Sequence, residues 1–462
     1  MLTIDDLPDD GLLAIFGFYV VRYQYLDLRQ FSDYKIKRQI ESWQPLVHVC
    51  RRWRCLVFGS PRRLNLQLCC TAKTPARKLD VCPALPLLIR AHIDETSVDN
   101  VIALLKHSDR ISTIDLECPS QPEKVLQVPF PELAVLCLSC SRANGPDLPG
   151  SFLGGSAPRL RDLSLNGIPF PGLPKLLLSA THLVRLRLTN VPHSGSISPE
   201  TLVTCLSMLT SLETLLLEHM PFLSYHPDFR LPFPPTRSVL PSLTTFSYKG
   251  VKEYMEEIVA RIDAPQLYRL STTFFFDFKA PELAQFISRT PTLGAYDEAH
   301  LTLDSGRALV TLCRSHPEPS DHRMVEVRIL CVDSKPQLSS LVRICSMSLH
   351  FLLTMENLYI HGSRSPPLIG IYHIDDTKWL DILLPFTAVK NLYLSKLFSP
   401  SIAIALDELT GGRTIEMLPD LQNVFLEGFQ PSGPVDGGIA RFISARQLTN
   451  RPVAISVWDR DC

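Results

Sequence analysis

The chain has almost no charge surplus: 46 Lys and Arg stand against 47 Asp and Glu, a net of −1 over 462 residues. That rules out a global field for nucleic acid or an anionic membrane, since either would need a basic stripe. No apolar run approaches the ~20 residues of a membrane helix; the run near Phe18 to Val21 stops at Arg22. There is no Asn-x-Ser/Thr acceptor, and Asp5, Asp6, Asp9 and Asp10 occupy the place where a secretory leader carries basic residues. The phosphate-cradling G-x-x-x-x-G-K-[ST] is missing, as are G-x-S-x-G, H-E-x-x-H and G-x-G-x-x-G. These absences predict an intracellular protein, cytoplasmic or nuclear, that is not an enzyme. They predict no cofactor, no metal, no nucleic acid and no membrane partner.

Two motifs survive that screen and neither carries chemistry by itself. Asp297-Glu298-Ala299-His300 spells a helicase box, but without a phosphate loop the acidic pair has no magnesium nucleotide to serve. Cys137 and Cys140 form C-x-x-C with no second ligand pair at workable spacing, so they read as structural cysteines. The 13 cysteines are odd in number and mostly lie inside apolar segments, as reduced, buried thiols do.

What is present is a folded chain: 45% of residues are hydrophobic and the mean hydropathy is +0.09. Two amphipathic helices stand near its start. In Leu7 to Tyr19, Leu12, Ile15, Phe16 and Tyr19 make one apolar stripe behind Pro8, with Asp9 and Asp10 where the helix dipole favours carboxylates. In Ser42 to Leu64, the residues Leu46, Val49, Cys50, Trp53 and Val57 recur at helical spacing, with Pro45 suited to the first turn and Gly59-Ser60-Pro61 stopping the helix. Gly17 to Glu41 separates the two. The basic and aromatic mixture from Arg22 to Lys37 reads as an inserted loop rather than a nucleic-acid surface.

Leu7-Pro8 with its acidic residues, Leu12-Leu13-Ile15-Phe16, and then Leu46-Val47-Val49-Cys50-Arg51-Arg52-Trp53-Arg54-Leu56, in that order, resemble an F-box. The wording VCRRWRCLVFGSPRRLNL is similar to the expanded F-box families of mushroom-forming fungi. The resemblance implies docking on a Skp adaptor, and through it on a cullin-RING ubiquitin ligase. It implies that Leu7, Pro8, Leu12, Ile15, Phe16, Leu46, Val49, Cys50 and Trp53 are the docking residues.

Beyond Leu64 the chain repeats. The template L-x-x-L-x-L fits Leu133-Leu136-Leu138, Leu160-Leu163-Leu165, Leu183-Leu186-Leu188 and Leu212-Leu215-Leu217. Weaker copies are Leu243-Phe246-Tyr248, Leu267-Leu270-Thr272, Met355-Leu358-Ile360, Val389-Leu392-Leu394 and Leu421-Val424-Leu426. Their spacing brackets and then exceeds the roughly 20–29 residues of leucine-rich repeats. Helical patterns lie between them, as at Val98 to Lys106, Thr201 to Met208, Tyr254 to Ile262, Glu282 to Ser288 and Ile439 to Ala445. The fold class expected is an α/β repeat: a small all-helical F-box-like domain over 1–63, with an insert at 17–41, and an irregular leucine-rich-repeat-like solenoid over 64–462. Leu293 to Asp333 fits the template poorly.

In such an array the template leucines face the core and the residues between them face the open side. That puts Asn357, Asn391 and Asn423 in one column, Tyr359, Tyr393 and Phe425 in the next, and His361, Ser395 and Glu427 beside them. Aromatics carry much of the energy at interfaces, so Asn357, Tyr359, His361, Asn391, Tyr393, Asn423 and Phe425 are the candidate target-binding residues. The expected function is the substrate-recognition subunit of an SCF-type ubiquitin ligase that holds an unknown target protein. The alternative is a non-catalytic scaffold acting outside ubiquitin ligation.

Overall fold

In the computed structural model every template residue of the nine repeats is buried, from Leu136 and Phe246 at 0% exposure to Leu188 and Leu426 at 6%. The structure describes residues 4–20, 33–79, 84–94, 96–117, 126–140, 147–192, 197–219, 236–275, 280–294, 296–304, 307–314, 323–330, 336–345, 350–362, 377–408, 417–428 and 437–459. Residues 21–32 of the insert expected at 17–41 lie outside them. The chain divides into two units, Met1–Ile197 and Ser198–Cys462. The boundary expected at 63/64 falls inside the first unit, between its helices and its first strand.

The first unit opens with α1 (Asp9–Tyr19), α2 (Asp33–Ile40), α3 (Gln44–Val49) and α4 (Arg51–Gly59). The single helix expected from Pro45 onward is two. Cys50 is extended at φ −154° and ψ 172°, and its Sγ accepts the Trp53 N–H at 3.4 Å, so it caps a new helix at Arg51. Val47 and Val49, stiff at χ1, weaken the helix just before that break.

Six parallel strands follow: β1 (Leu68–Thr71), β2 (Leu87–His92), β3 (Ile111–Glu117), β4 (Val135–Ser139), β5 (Asp162–Asn166) and β6 (Arg185–Val191), side by side in chain order. Helices α5 (Val98–Leu105) and α6 (Leu173–Ser179) return the chain between strands, as parallel pairing requires. Gly167 ends β5 at φ +68°, where a Cβ would meet the Cys140 carbonyl oxygen at 2.6 Å, so the turn there needs glycine.

The second unit runs α7 (Pro199–Ser207), β7 (Thr214–His219), β8 (Ser238–Val239), β9 (Thr245–Gly250), α8 (Lys252–Val259), β10 (Ile262–Asp263), β11 (Arg269–Phe275), α9 (Pro281–Arg289), β12 (Glu298–Asp304), β13 (Arg307–Cys313), β14 (Met324–Leu330), α10 (Pro336–Cys345), β15 (Asn357–Gly362), α11 (Thr377–Leu383), β16 (Asn391–Leu394), α12 (Ser399–Glu408), β17 (Asn423–Glu427), α13 (Gly437–Leu448) and β18 (Ala454–Trp458). Strands β8 and β10 pair separately; the others order β7-β9-β11-β14-β13-β12-β15-β16-β17-β18. The poorly fitting stretch is thus an antiparallel meander set into a parallel array. From β11 the chain skips two places to β12 and folds back through β13 to β14, which pairs β11. It then crosses to β15, which pairs β12 in parallel. No described helix is long and apolar enough to cross a membrane.

Candidate functional site

The aromatic column follows from register. Strands β12, β15, β16 and β17 pair in parallel so that His300, Tyr359, Tyr393 and Phe425 occupy one level. Neighbouring strands lie about 4.8 Å apart, so flat rings at one level stack. Centroid distances are 4.3 Å for His300–Tyr359, 4.1 Å for Tyr359–Tyr393 and 4.4 Å for Tyr393–Phe425, with planes within 11° of parallel. One level away, Asn391 Nδ2 donates to Asn357 Oδ1 at 2.7 Å and Asn423 Nδ2 donates to Asn391 Oδ1 at 2.8 Å. This amide ladder runs parallel to the rings. All these side chains are half-buried, so the face they form is open to solvent in part.

Two residues that the sequence pattern did not single out complete the column. His300 extends it onto β12. Trp458, on the last strand, reaches back so that its indole lies 5.8 Å from Tyr393, 5.9 Å from Tyr359 and 6.5 Å from His361. No L-x-x-L-x-L copy includes Trp458; only the alternation of Val453, Ile455 and Val457 before it marks a strand. The flanking column is corrected at Ser395, which is 1% exposed and faces the core, while His361 and Glu427 are half-buried. His361 Nε2 lies 3.5 Å from Thr302 Oγ1, and the Glu427 carboxylate accepts the Lys396 N–H at 3.0 Å.

At the β12 end the column meets polar groups. The Tyr359 hydroxyl donates to Glu298 Oε1 at 3.2 Å. Burial, and then the Glu298 charge, raise its pKa well above the usual phenol value. Cys313, opposite Glu298 in register, is pushed up to about 12, first by burial and then by the Glu298 carboxylate. The rejected helicase letters therefore supply two members of the site, Glu298 and His300. The C-x-x-C pair does not join it: Cys137 is half-buried and Cys140 is buried, and among the described residues they gather no third metal-type ligand.

The N-terminal helices divide the expected docking residues into two sets. Leu12, Phe16 and Leu46 are buried at 0%, 1% and 6% exposure and form the core of the helical segment. Trp53 is half-buried and packs on Phe16 with ring centroids 4.6 Å apart. Leu7 and Cys50 are half-buried, whereas Pro8, Ile15 and Val49 are exposed, together with Phe18 and Tyr19. Arg52 donates to Asp9 Oδ1 at 2.7 Å and to the Leu7 carbonyl at 2.6 Å, and Arg54 donates to the Val47 carbonyl at 2.9 Å, so both secure their own segment. Trp43 Nε1 donates to the Gln67 carbonyl at 3.0 Å and Glu41 accepts the Cys69 N–H at 3.0 Å, tying the helices to β1. Compared with protein-family models and with curated proteins, the chain matches none.

Proposed function

We propose that the chain is the substrate-recognition subunit of an SCF-type ubiquitin ligase, with an F-box at its start and leucine-rich-repeat-like units behind it. One observation carries the reading: α1, α3 and α4 close a small core, yet leave Ile15 and Val49 45% and 59% exposed on helices too small to need them outside. An apolar residue held out of a core in this way serves a partner well, since its burial is worth about 1.5–3 kcal/mol. The partner is a Skp-type adaptor. The ladder of Tyr359, Tyr393 and Phe425 with Trp458 is the target-binding face. The chain then acts by raising the effective concentration of a target's lysines beside the ligase's ubiquitin thioester.

Trp53 has a different part in this reading from the one its size suggests. Packed on Phe16, it holds α1 to α4, so Trp53→Ala tests the fold of the segment more than its docking. Co-expression of the full chain with a Skp adaptor, followed by size-exclusion chromatography, tests the proposal. Co-elution at one to one supports it. A folded chain that elutes alone favours the second reading, a scaffold outside ubiquitin ligation, which the ties of Trp43 and Glu41 to β1 also suit.

A further inference from the structure

The meander joins three side chains that are distant in sequence or in letter pattern. Antiparallel register sets Glu298 at the start of β12 opposite Cys313 at the end of β13. Strand alternation puts His300 on the same face as Glu298, two residues on. Cys313 Sγ is 3.7 Å from Glu298 Oε2, and His300 Nε2 is 3.5 Å from the same oxygen. One donor atom from each of the three lies within 4.8 Å of the others.

The two separations from Glu298 Oε2 are long for strong hydrogen bonds and close to those within a coordination polyhedron. Nitrogen and oxygen donors about 2.0–2.1 Å from zinc, and a thiolate about 2.3 Å from it, stand about 3.3–3.6 Å apart at tetrahedral angles. A second, independent observation is how the donors are aimed. Tyr359 donates its hydroxyl to Glu298 Oε1, leaving Oε2 turned toward the thiol and imidazole. The same tyrosine ring lies flat on His300, with planes 4° apart. One residue outside the donor set thus orients two of its members, as partners behind metal ligands do.

We propose that Glu298, His300 and Cys313 bind a divalent cation of the zinc class, with water as the fourth donor. Cys313 enters as thiolate, its proton passes to solvent, and no electrons move. The Glu298 and His300 side chains are 15% and 29% exposed, shielded on the sheet side and reachable by water. The cation clips the open end of the β12–β13 hairpin, beside the aromatic column. This site does not depend on the ligase reading.

The test uses the full chain, reduced and stripped by a chelator, titrated with Zn²⁺ against a chromophoric chelator and with Co²⁺ for its spectrum. Wild type should bind one equivalent more than Cys313→Ser and show a thiolate-to-cobalt charge-transfer band that Cys313→Ser lacks. Tyr359→Phe should keep the site with affinity about 10-fold weaker. Circular dichroism reports the fold of each variant; if Cys313→Ser does not fold, His300→Ala carries the same comparison. Equal stoichiometry and equal cobalt spectra in wild type and a folded Cys313→Ser or His300→Ala chain overturn the proposal, as does folded wild type that binds neither metal.

Discussion

Tyr359 lies flat on Tyr393, with ring centroids 4.1 Å apart and planes 11° from parallel. Tyr393 makes the same contact with Phe425 on its other side, so it is stacked on both faces. Stacked aromatic pairs contribute about 0.5–1.5 kcal/mol beyond their buried area. Tyr393→Ala should therefore destabilise the second unit by about 1–3 kcal/mol, and Tyr393→Phe by much less. Hydrogen exchange of the β15 to β17 amides measures this locally. Unchanged protection in Tyr393→Ala would contradict it.

The amide ladder makes a comparative prediction. Asn391 both donates and accepts, whereas Asn423 only donates to it. Each such bond is worth about 0.5–1.5 kcal/mol net, with a further cost for a buried group left unpaired. Asn391→Ala should cost about twice as much as Asn423→Ala, read as the shift in denaturation midpoint at constant slope. Equal shifts would mean that the ladder does not act as a chain of bonds.

His219 supplies a pH dependence. It is 8% exposed, packed against Tyr248 and Tyr254, and its Nδ1 has no hydrogen-bond partner among the described residues. Burial lowers its pKa to about 4, opposed only by the Lys249 backbone. The unfolded chain, with an ordinary value near 6.5, takes up a proton that the folded chain refuses. The stabilisation is complete above about pH 6.5 and is lost as pH falls toward about 4, a total of about 3 kcal/mol. His219→Phe should flatten stability against pH in that window relative to wild type, as followed by urea denaturation. Parallel curves would show that His219 does not titrate across unfolding.

Much of the fold was legible in the letters because the core is periodic. The template residues correspond to buried positions in and just before the strands, and the helical patterns at Val98, Thr201, Tyr254, Glu282 and Ile439 to α5, α7, α8, α9 and α13. The asparagine and aromatic columns were legible for the same reason, since parallel register turns equal spacing into stacking. The meander was not, because its strands alternate every second residue and their neighbours are set by a crossover that no local pattern encodes. Glu298 and Cys313 meet only through that hairpin. The break at Cys50 was hidden too, since a thiol cap looks like one more apolar residue in a helical stripe.

The most direct test of the ligase reading is the affinity of a purified Skp adaptor for wild type, Ile15→Asp and Val49→Asp, measured by interferometry on chains shown to be folded. Both residues are exposed, so a carboxylate there is solvated in the free chain and costs little stability, yet is buried in the docked one. Tight binding by wild type, weakened at least 30-fold in each variant, about 2 kcal/mol, is the expected result. Equal affinity across the three, or none for wild type, would contradict the docking of these helices on the adaptor.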